Sequence, residues 1–259
     1  MSSTPLWPYP RILAHRGGGT LAPENTLAAL RTGRAHGHRA VEFDVMLTRD
    51  GVPVLMHDPH FGRTIAGKGL VAQTLFSELK QRDAGRWFSA EFANDIVPSL
   101  RDAIDFCRAH GLWMNIEIKP SSDDMAHETG RVVGKLVREV FAREIEQASG
   151  GLDPALPEFS SFSMDALAGA RATCEAVPRG LLVTKIPNDW FDQMKNVNAL
   201  ALHACHRELN RDLVSEVRSR GVPLMVYTVN DPERARLLFA WGVDAVCTDR
   251  IDLINATFI

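Results

Sequence analysis

His15 and Arg16 lead into Gly17, Gly18 and Gly19; Glu42 and Asp44 stand two residues apart; His57 precedes Asp58; and Asn115, Glu117 and Lys119 alternate with apolar residues. On an extended segment, residues two apart share a face, so each of these sets can turn its polar groups one way. Carboxylates facing an apolar interior are costly unless something compensates them. A bound cation does so, and carboxylates without thiols suit a hard, oxygen-preferring ion, Mg2+ or Ca2+, rather than zinc. Such an ion would neutralise and orient a phosphate oxygen, with Arg16 and Lys119 binding the remaining charge. Histidines titrate near neutrality, so His15 and His57 could share the proton transfers, one accepting from a nucleophile and one donating to a leaving alkoxide. Together the set describes attack at phosphorus.

Taken singly, each residue has a plainer reading. Glu42 and Asp44 could face outward, Glu117 could pair with Lys119, and His57 could cap or pack. Gly17–Gly19 lacks the spacing of a dinucleotide fingerprint, and Asn25 and Thr26 read as caps for a helix over Leu27–His36. The weight lies in their occurrence together at the ends of successive strands.

Those strands are short apolar, β-branched runs separated by segments of helical periodicity, the pattern of a parallel α/β fold. The runs are Arg11–His15, Ala40–Asp44, Trp113–Ile118, Glu158–Phe162, Arg179–Thr184, Ala199–His203, Pro223–Thr228 and Asp244–Cys247. Helices are predicted over Ser99–His110, Asp212–Arg220 and Glu233–Trp241, the last with Asp231 as N-cap and Pro232 in its first turn. A further run, Val52–His57, follows Val41–Leu47 after a loop of Thr48-Arg49-Asp50-Gly51 that is too short for a crossover helix, so the two form an antiparallel hairpin. Setting that arm aside leaves eight parallel strands, the number that closes a (β/α)8 TIM barrel, although an open doubly wound sheet shares the periodicity. A barrel places its active site where strands end and βα loops begin, and the arm would return His57 to that rim. Residues 1–259 read as one barrel domain with an insertion over 59–98, where Trp87 and Phe88 are expected to pack the insertion onto the barrel.

With 259 residues, 45% hydrophobic, and 29 Lys+Arg against 32 Asp+Glu, the chain has no basic excess to suggest nucleic-acid binding. Nothing approaches the apolar length of a membrane span. Met1–Pro10 lacks the charged-then-apolar order of a signal peptide, and Cys107, Cys174, Cys205 and Cys247 stand singly. A cytoplasmic location is the expectation.

His15-Arg16-Gly17, Pro23-Glu24-Asn25-Thr26, Glu42-Phe43-Asp44 with Thr48-Arg49-Asp50-Gly51, His57-Asp58 and Glu117-Ile118-Lys119 resemble the signature of the glycerophosphodiester phosphodiesterase family. Ser160-Ser161-Phe162, Tyr227-Thr228-Val229-Asn230 and Gly242-Val243-Asp244 with Thr248-Asp249 carry the likeness through the later strands. The two ends are most similar to the cytosolic bacterial form. The resemblance implies a TIM barrel with a small insertion after the His57 arm. It also implies one divalent cation held by Glu42, Asp44 and Glu117, an acid–base pair of His15 and His57, and phosphate contacts from Arg16 and Lys119. The glycerol 2-hydroxyl would attack phosphorus, expelling the head-group alcohol and leaving a cyclic phosphate that water opens to sn-glycerol 3-phosphate. Which histidine is the first base stays open, with His15 preferred. Tyr227 stands where many members carry Trp and, with His203, is a candidate substrate contact. The expected partners are small-molecule glycerophosphodiesters, not nucleic acid or a membrane, with a homodimer as a candidate assembly. Three other readings share parts of this set: a lysolipid phospholipase-D-like activity, a non-catalytic phosphodiester sensor, and a barrel aldolase or isomerase using Lys119.

Overall fold

Nine strands form where the apolar runs predict them: β1 (Ile12–Ala14), β2 (Ala40–Leu47), β3 (Pro53–Leu55), β4 (Trp113–Ile118), β5 (Glu158–Ser161), β6 (Arg179–Val183), β7 (Ala201–Cys205), β8 (Leu224–Tyr227) and β9 (Ala245–Thr248). They come from a computed structural model that describes residues 7–258; Met1–Leu6, most of the stretch read above for a signal peptide, lies outside the described residues. Parallel pairing runs from β1 through β9, β8, β7, β6, β5 and β4 to β2, and β1 pairs back onto β2 at Ala14 and Val41. Eight parallel strands thus close a (β/α)8 barrel. β3 lies outside the ring, antiparallel to β2 with Val45 opposite Leu55 and Leu47 opposite Pro53, as the short Asp50-Gly51 turn requires. Gly51 takes φ 73°, a left-handed conformation that suits glycine.

The main helices are α1 (Leu27–Ala35), α2 (Phe76–Leu79), α3 (Leu100–Ala109), α4 (Ala126–Val140), α5 (Ala142–Gln147), α6 (Met164–Thr173), α7 (Trp190–Val197), α8 (Arg211–Ser219) and α9 (Pro232–Trp241). Their starts follow local chemistry. Ser99 and Asp102 make a reciprocal capping box for α3, and Asp231 caps α9 with Pro232 in the first turn. Thr26 alone caps α1 through the Ala29 N–H at 3.1 Å; Asn25 has another task, described below. Among the described residues, no helix is long and apolar enough to cross a membrane.

One apolar layer fills the space between strands and helices. A second closes the N-terminal end of the barrel. There Tyr9 stacks on Trp113 with ring centroids 4.0 Å apart, and Trp7 meets Tyr9 edge-on at 4.9 Å, so the residues preceding β1 form the barrel's floor. Arg179 is buried beside this end, without a carboxylate partner among the described residues. Its guanidinium donates instead to the carbonyls of Val177, Glu175, Val197 and Asn198, at 2.8–3.1 Å.

Inside the ring, packing is tight. A Cβ added at Gly180 would stand 2.5 Å from His203 Nε2. Overpacking of this kind typically costs about 1–3 kcal/mol, so Gly180→Ala should lower the unfolding free energy by that amount, read as a lower urea midpoint at unchanged slope. An unchanged midpoint would mean the interior has slack at β6.

Residues 59–98 fold over the hairpin arm. Phe61, Ile65, Val71, Leu79 and Val97 bury themselves against Met46, Val54 and Met56. The Asp83 carboxylate accepts the backbone N–H groups of Arg86, Gly85 and Asn94 at 2.7–2.9 Å, which fixes the loop carrying Trp87 and Phe88.

Candidate active site

The polar strand ends converge at the barrel mouth. After β1 the chain turns sharply: Arg16 takes φ 49° and Gly17 φ 87°. A non-glycine residue in that region costs about 1–3 kcal/mol. The turn aims the Arg16 N–H at Glu42 Oε2, 3.0 Å away. Asp44 and Glu117 are direct neighbours across β2 and β4. Glu42, Asp44 and Glu117 each present an oxygen within 4.8 Å of the others.

Burial and the nearby Asp44 charge push Glu42 up to about 7 and Glu117 up to about 8. Burial also works against ionised Asp44, yet Arg16, His57 and Lys119 outweigh it and hold that carboxyl below its ordinary value. Glu42 Oε1 has no hydrogen-bond partner among the described residues. An all-oxygen, mutually repelling, partly unpartnered trio has the donor chemistry that could hold a hard divalent cation.

Each histidine is backed by a carboxylate. His15 Nδ1 lies 2.5 Å from Asp249 Oδ1, and Asp249 is itself held by the Asn230 amide at 2.9 Å. The other ring nitrogen, Nε2, lies 3.8 Å from Glu42 Oε2. His57 Nδ1 lies 2.6 Å from Asp58, and its Nε2 is 2.9 Å from Lys119 Nζ. An ammonium can only donate, so His57 accepts from Lys119 and carries its own proton toward Asp58. Lys119 also stands 3.6 Å from Glu117 and 3.7 Å from Asp44.

Burial pulls the His15 pKa down, but the Asp249 hydrogen bond and the Glu42 charge reverse this, and it ends above the ordinary value. For His57 burial wins with help from Arg16 and Lys119, so it ends below.

Behind this row lies a ring of charges that sequence reasoning did not assign. Glu24 accepts from Arg16 at 2.7 Å and from Arg63 at 2.5 and 2.7 Å. Arg63 Nε reaches Asp58 at 2.6 Å and pushes that carboxyl down to about 2. Asn25, read as a cap, takes φ 58° and grips Asp44 instead: its amide donates to Oδ2 at 2.8 Å and accepts the Asp44 N–H at 3.1 Å.

His203 is not at the mouth. It is 0% exposed and faces Glu158, also 0% exposed, at 3.1 Å deep in the barrel. Tyr227 is half-buried near the mouth, where its hydroxyl donates to Val183 O at 2.9 Å and its ring meets Phe162 edge-on at 6.0 Å. Trp87, expected to pack inward, is 41% exposed.

Two cavities flank the carboxylates. One, about 550 Å³, lies between His15, Arg16, Glu24 and Asp249 on the barrel side and Trp87 and Phe88 on the insertion side. The other, about 350 Å³, is lined by Glu117, Lys119, Asp123 and Phe162 among others. A charged centre with an open volume on either side has the layout of a site for a diester, with one substituent per cavity.

Comparison with known proteins bears on which diester. The model of the glycerophosphoryl diester phosphodiesterase family matches residues 15–253. The glycerophosphodiester phosphodiesterase of Caldanaerobacter subterraneus subsp. tengcongensis is 28% identical over 239 residues, covering 92% of this chain and 93% of that one. A phosphodiesterase of Oleispira antarctica, solved in complex with the product sn-glycerol-3-phosphate, is 34% identical with a TM-score of 0.85, covering 95% of this chain and 96% of that one. The glycerophosphodiester phosphodiesterase of Agrobacterium tumefaciens is 26% identical with a TM-score of 0.71, covering 95% and 99%. A family match of that extent, shared by relatives of the same span, makes this chain a member of the glycerophosphoryl diester phosphodiesterase family.

Proposed function

We propose that the chain, as one barrel domain with an insertion over 59–98, hydrolyses small glycerophosphodiesters to sn-glycerol 3-phosphate and an alcohol. The observation that carries this reading is the pair of carboxylate-backed histidines on either side of three convergent carboxylates. The product bound by the Oleispira antarctica relative supports the substrate class. Glu42, Asp44 and Glu117 would hold Mg2+ or Ca2+, which when bound would neutralise and orient a phosphate oxygen. Arg16 Nε, 3.4 Å from Asp44 Oδ2 but with no hydrogen bond among the described residues, has a donor to offer the phosphate.

The electrostatics favour His57, rather than His15, as the first base. His57 is neutral with Nε2 as acceptor, so the glycerol 2-hydroxyl can take the place of Lys119 there and lose its proton as its oxygen attacks phosphorus. The freed Lys119 ammonium then meets the phosphate charge. His15, the more readily protonated ring, gives its Nε2 proton to the departing head-group alkoxide. Water opens the resulting cyclic phosphate with the two roles exchanged. The unpaired cysteines suit a reducing, cytoplasmic setting.

The rate should follow a bell against pH. Activity is lost at low pH as His57 gains a proton, with a midpoint below that of an ordinary histidine, and at high pH as His15 loses one, with a midpoint above it. Asp249→Asn removes support for protonated His15, so the alkaline limb should move to lower pH. A limb that stays in place would return the base role to His15.

The direct test of the reaction is release of sn-glycerol 3-phosphate from glycerophosphocholine by EDTA-treated protein, before and after adding Mg2+ or Ca2+. Metal-restored release is expected. No release from any soluble diester, by protein that still binds the ion, would redirect the search to lysolipids or to a binding role.

A further inference from the structure

The cavity beside His15 has one wall that the reaction does not use. Trp87 stands exposed at its edge, its ring 5.7 Å from Phe88 and at 88° to it, so the two make an aromatic corner. The corner is held in place, because Trp87 Nε1 donates to Ala84 O at 2.9 Å and Asp83 pins the surrounding backbone. With its only donor engaged, the indole offers a π face and no hydrogen bond. The cations on the opposite wall are already paired. Arg63 gives Nε to Asp58 and both terminal nitrogens to Glu24, while Arg16 also bonds Glu24. Asp249 adds a further carboxylate to the lining. An exposed indole beside a second ring, facing arginines whose charge Glu24 and Asp58 already offset, favours a cation that needs no hydrogen-bond acceptor.

From this we infer that the Trp87–Phe88 corner is the head-group subsite and that it selects quaternary ammonium alcohols, with choline as the leaving group, over primary ammonium and uncharged ones. The inference rests on the phosphodiesterase reading above and names its preferred substrate class. An ethanolamine head group would benefit less, since its ammonium protons find no acceptor on the indole. A glycerol head group gains only contact area. His15 lines the same cavity, which puts the proposed acid beside the alkoxide that departs from it.

Two readouts test the subsite. The first is the ratio of kcat/KM for glycerophosphocholine to that for glycerophosphoglycerol. Trp87→Ala and Trp87→Leu should each lower it roughly tenfold, mainly through KM, whereas Trp87→Phe should keep it within about threefold of the parent. Leucine retains apolar bulk, so its loss separates π recognition from simple packing. The second readout needs no turnover: saturation transfer from the protein to the methyl protons of free choline should be seen in the parent and in Trp87→Phe, and be lost in Trp87→Leu. Equal losses for both diesters, or a methyl contact that survives Trp87→Leu, would overturn the subsite. If the parent cleaves no glycerophosphodiester, the reaction assignment falls, and the methyl contact alone decides whether the corner binds choline.

Discussion

Replacing His57 by alanine should lower kcat by about 10²–10⁴-fold while KM shifts no more than about threefold, because proton transfer is made only in the transition state. His15→Ala should cost a similar factor, and the double variant much less than the product of the two, since both rings serve both half-reactions. A substrate with an acidic leaving group separates them. p-Nitrophenolate departs without a proton, so the p-nitrophenyl ester of glycerol phosphate should recover most of the rate lost in His15→Ala and little of that lost in His57→Ala. Recovery in the His57 variant instead would exchange the two roles. A histidine variant that loses binding but keeps turnover would remove that residue from the chemistry.

Loss of a carboxylate from the triad should have an effect as large and more easily seen outside catalysis. Glu117→Gln should abolish the metal-dependent rate and weaken ion binding, as read by calorimetry. It should also change stability in a direction that identifies the cause. Folding raises the Glu117 pKa from 4.5 to about 8. The folded state therefore holds the proton more tightly than the unfolded one, and stability falls as pH rises between those values. In EDTA the parent should melt at progressively lower temperature across that window, and a divalent ion should restore it by binding only the folded form. In Glu117→Gln both the pH slope and the gain from metal should shrink, with the variant melting above the parent in EDTA at the alkaline end. If the variant kept the full gain from metal, Glu117 would not be a ligand. Asp44→Asn should behave differently: Arg16 and Lys119 would lose a buried counter-charge, so it should melt below the parent with or without metal.

Much of this layout is legible in the sequence because local chemistry dictates it. Alternating apolar runs fix the eight barrel strands, and a loop of Thr48 to Gly51 permits only a hairpin, which brings His57 back to the rim. Period-two alternation also puts Glu42 with Asp44, and Asn115 with Glu117, on single faces. It says nothing of depth along the barrel axis, which is why His203 could be taken for a mouth residue although it sits low, against Glu158. Partnerships across long separations were hidden as well. Asp249 lies 234 residues from the histidine it backs, and Glu24 lies 39 from Arg63. Asn25 was obscured for another reason: a polar residue just before a helix usually reads as a cap. Only its left-handed backbone turns the amide toward Asp44.

Rings locked at fixed angles give a folded protein its near-ultraviolet circular dichroism, which is lost when side-chain packing loosens. Trp7, Tyr9 and Trp113 are buried and interlocked at the barrel floor, and the indole at the opposite end stands in solvent. A dissolved quencher will therefore extinguish the emission of Trp87 before that of the floor, and a ligand in the mouth will shield it. The dichroic band persists until the floor itself comes apart. The two ends of the barrel thus carry separate optical signals, one reporting occupancy and the other the integrity of the fold.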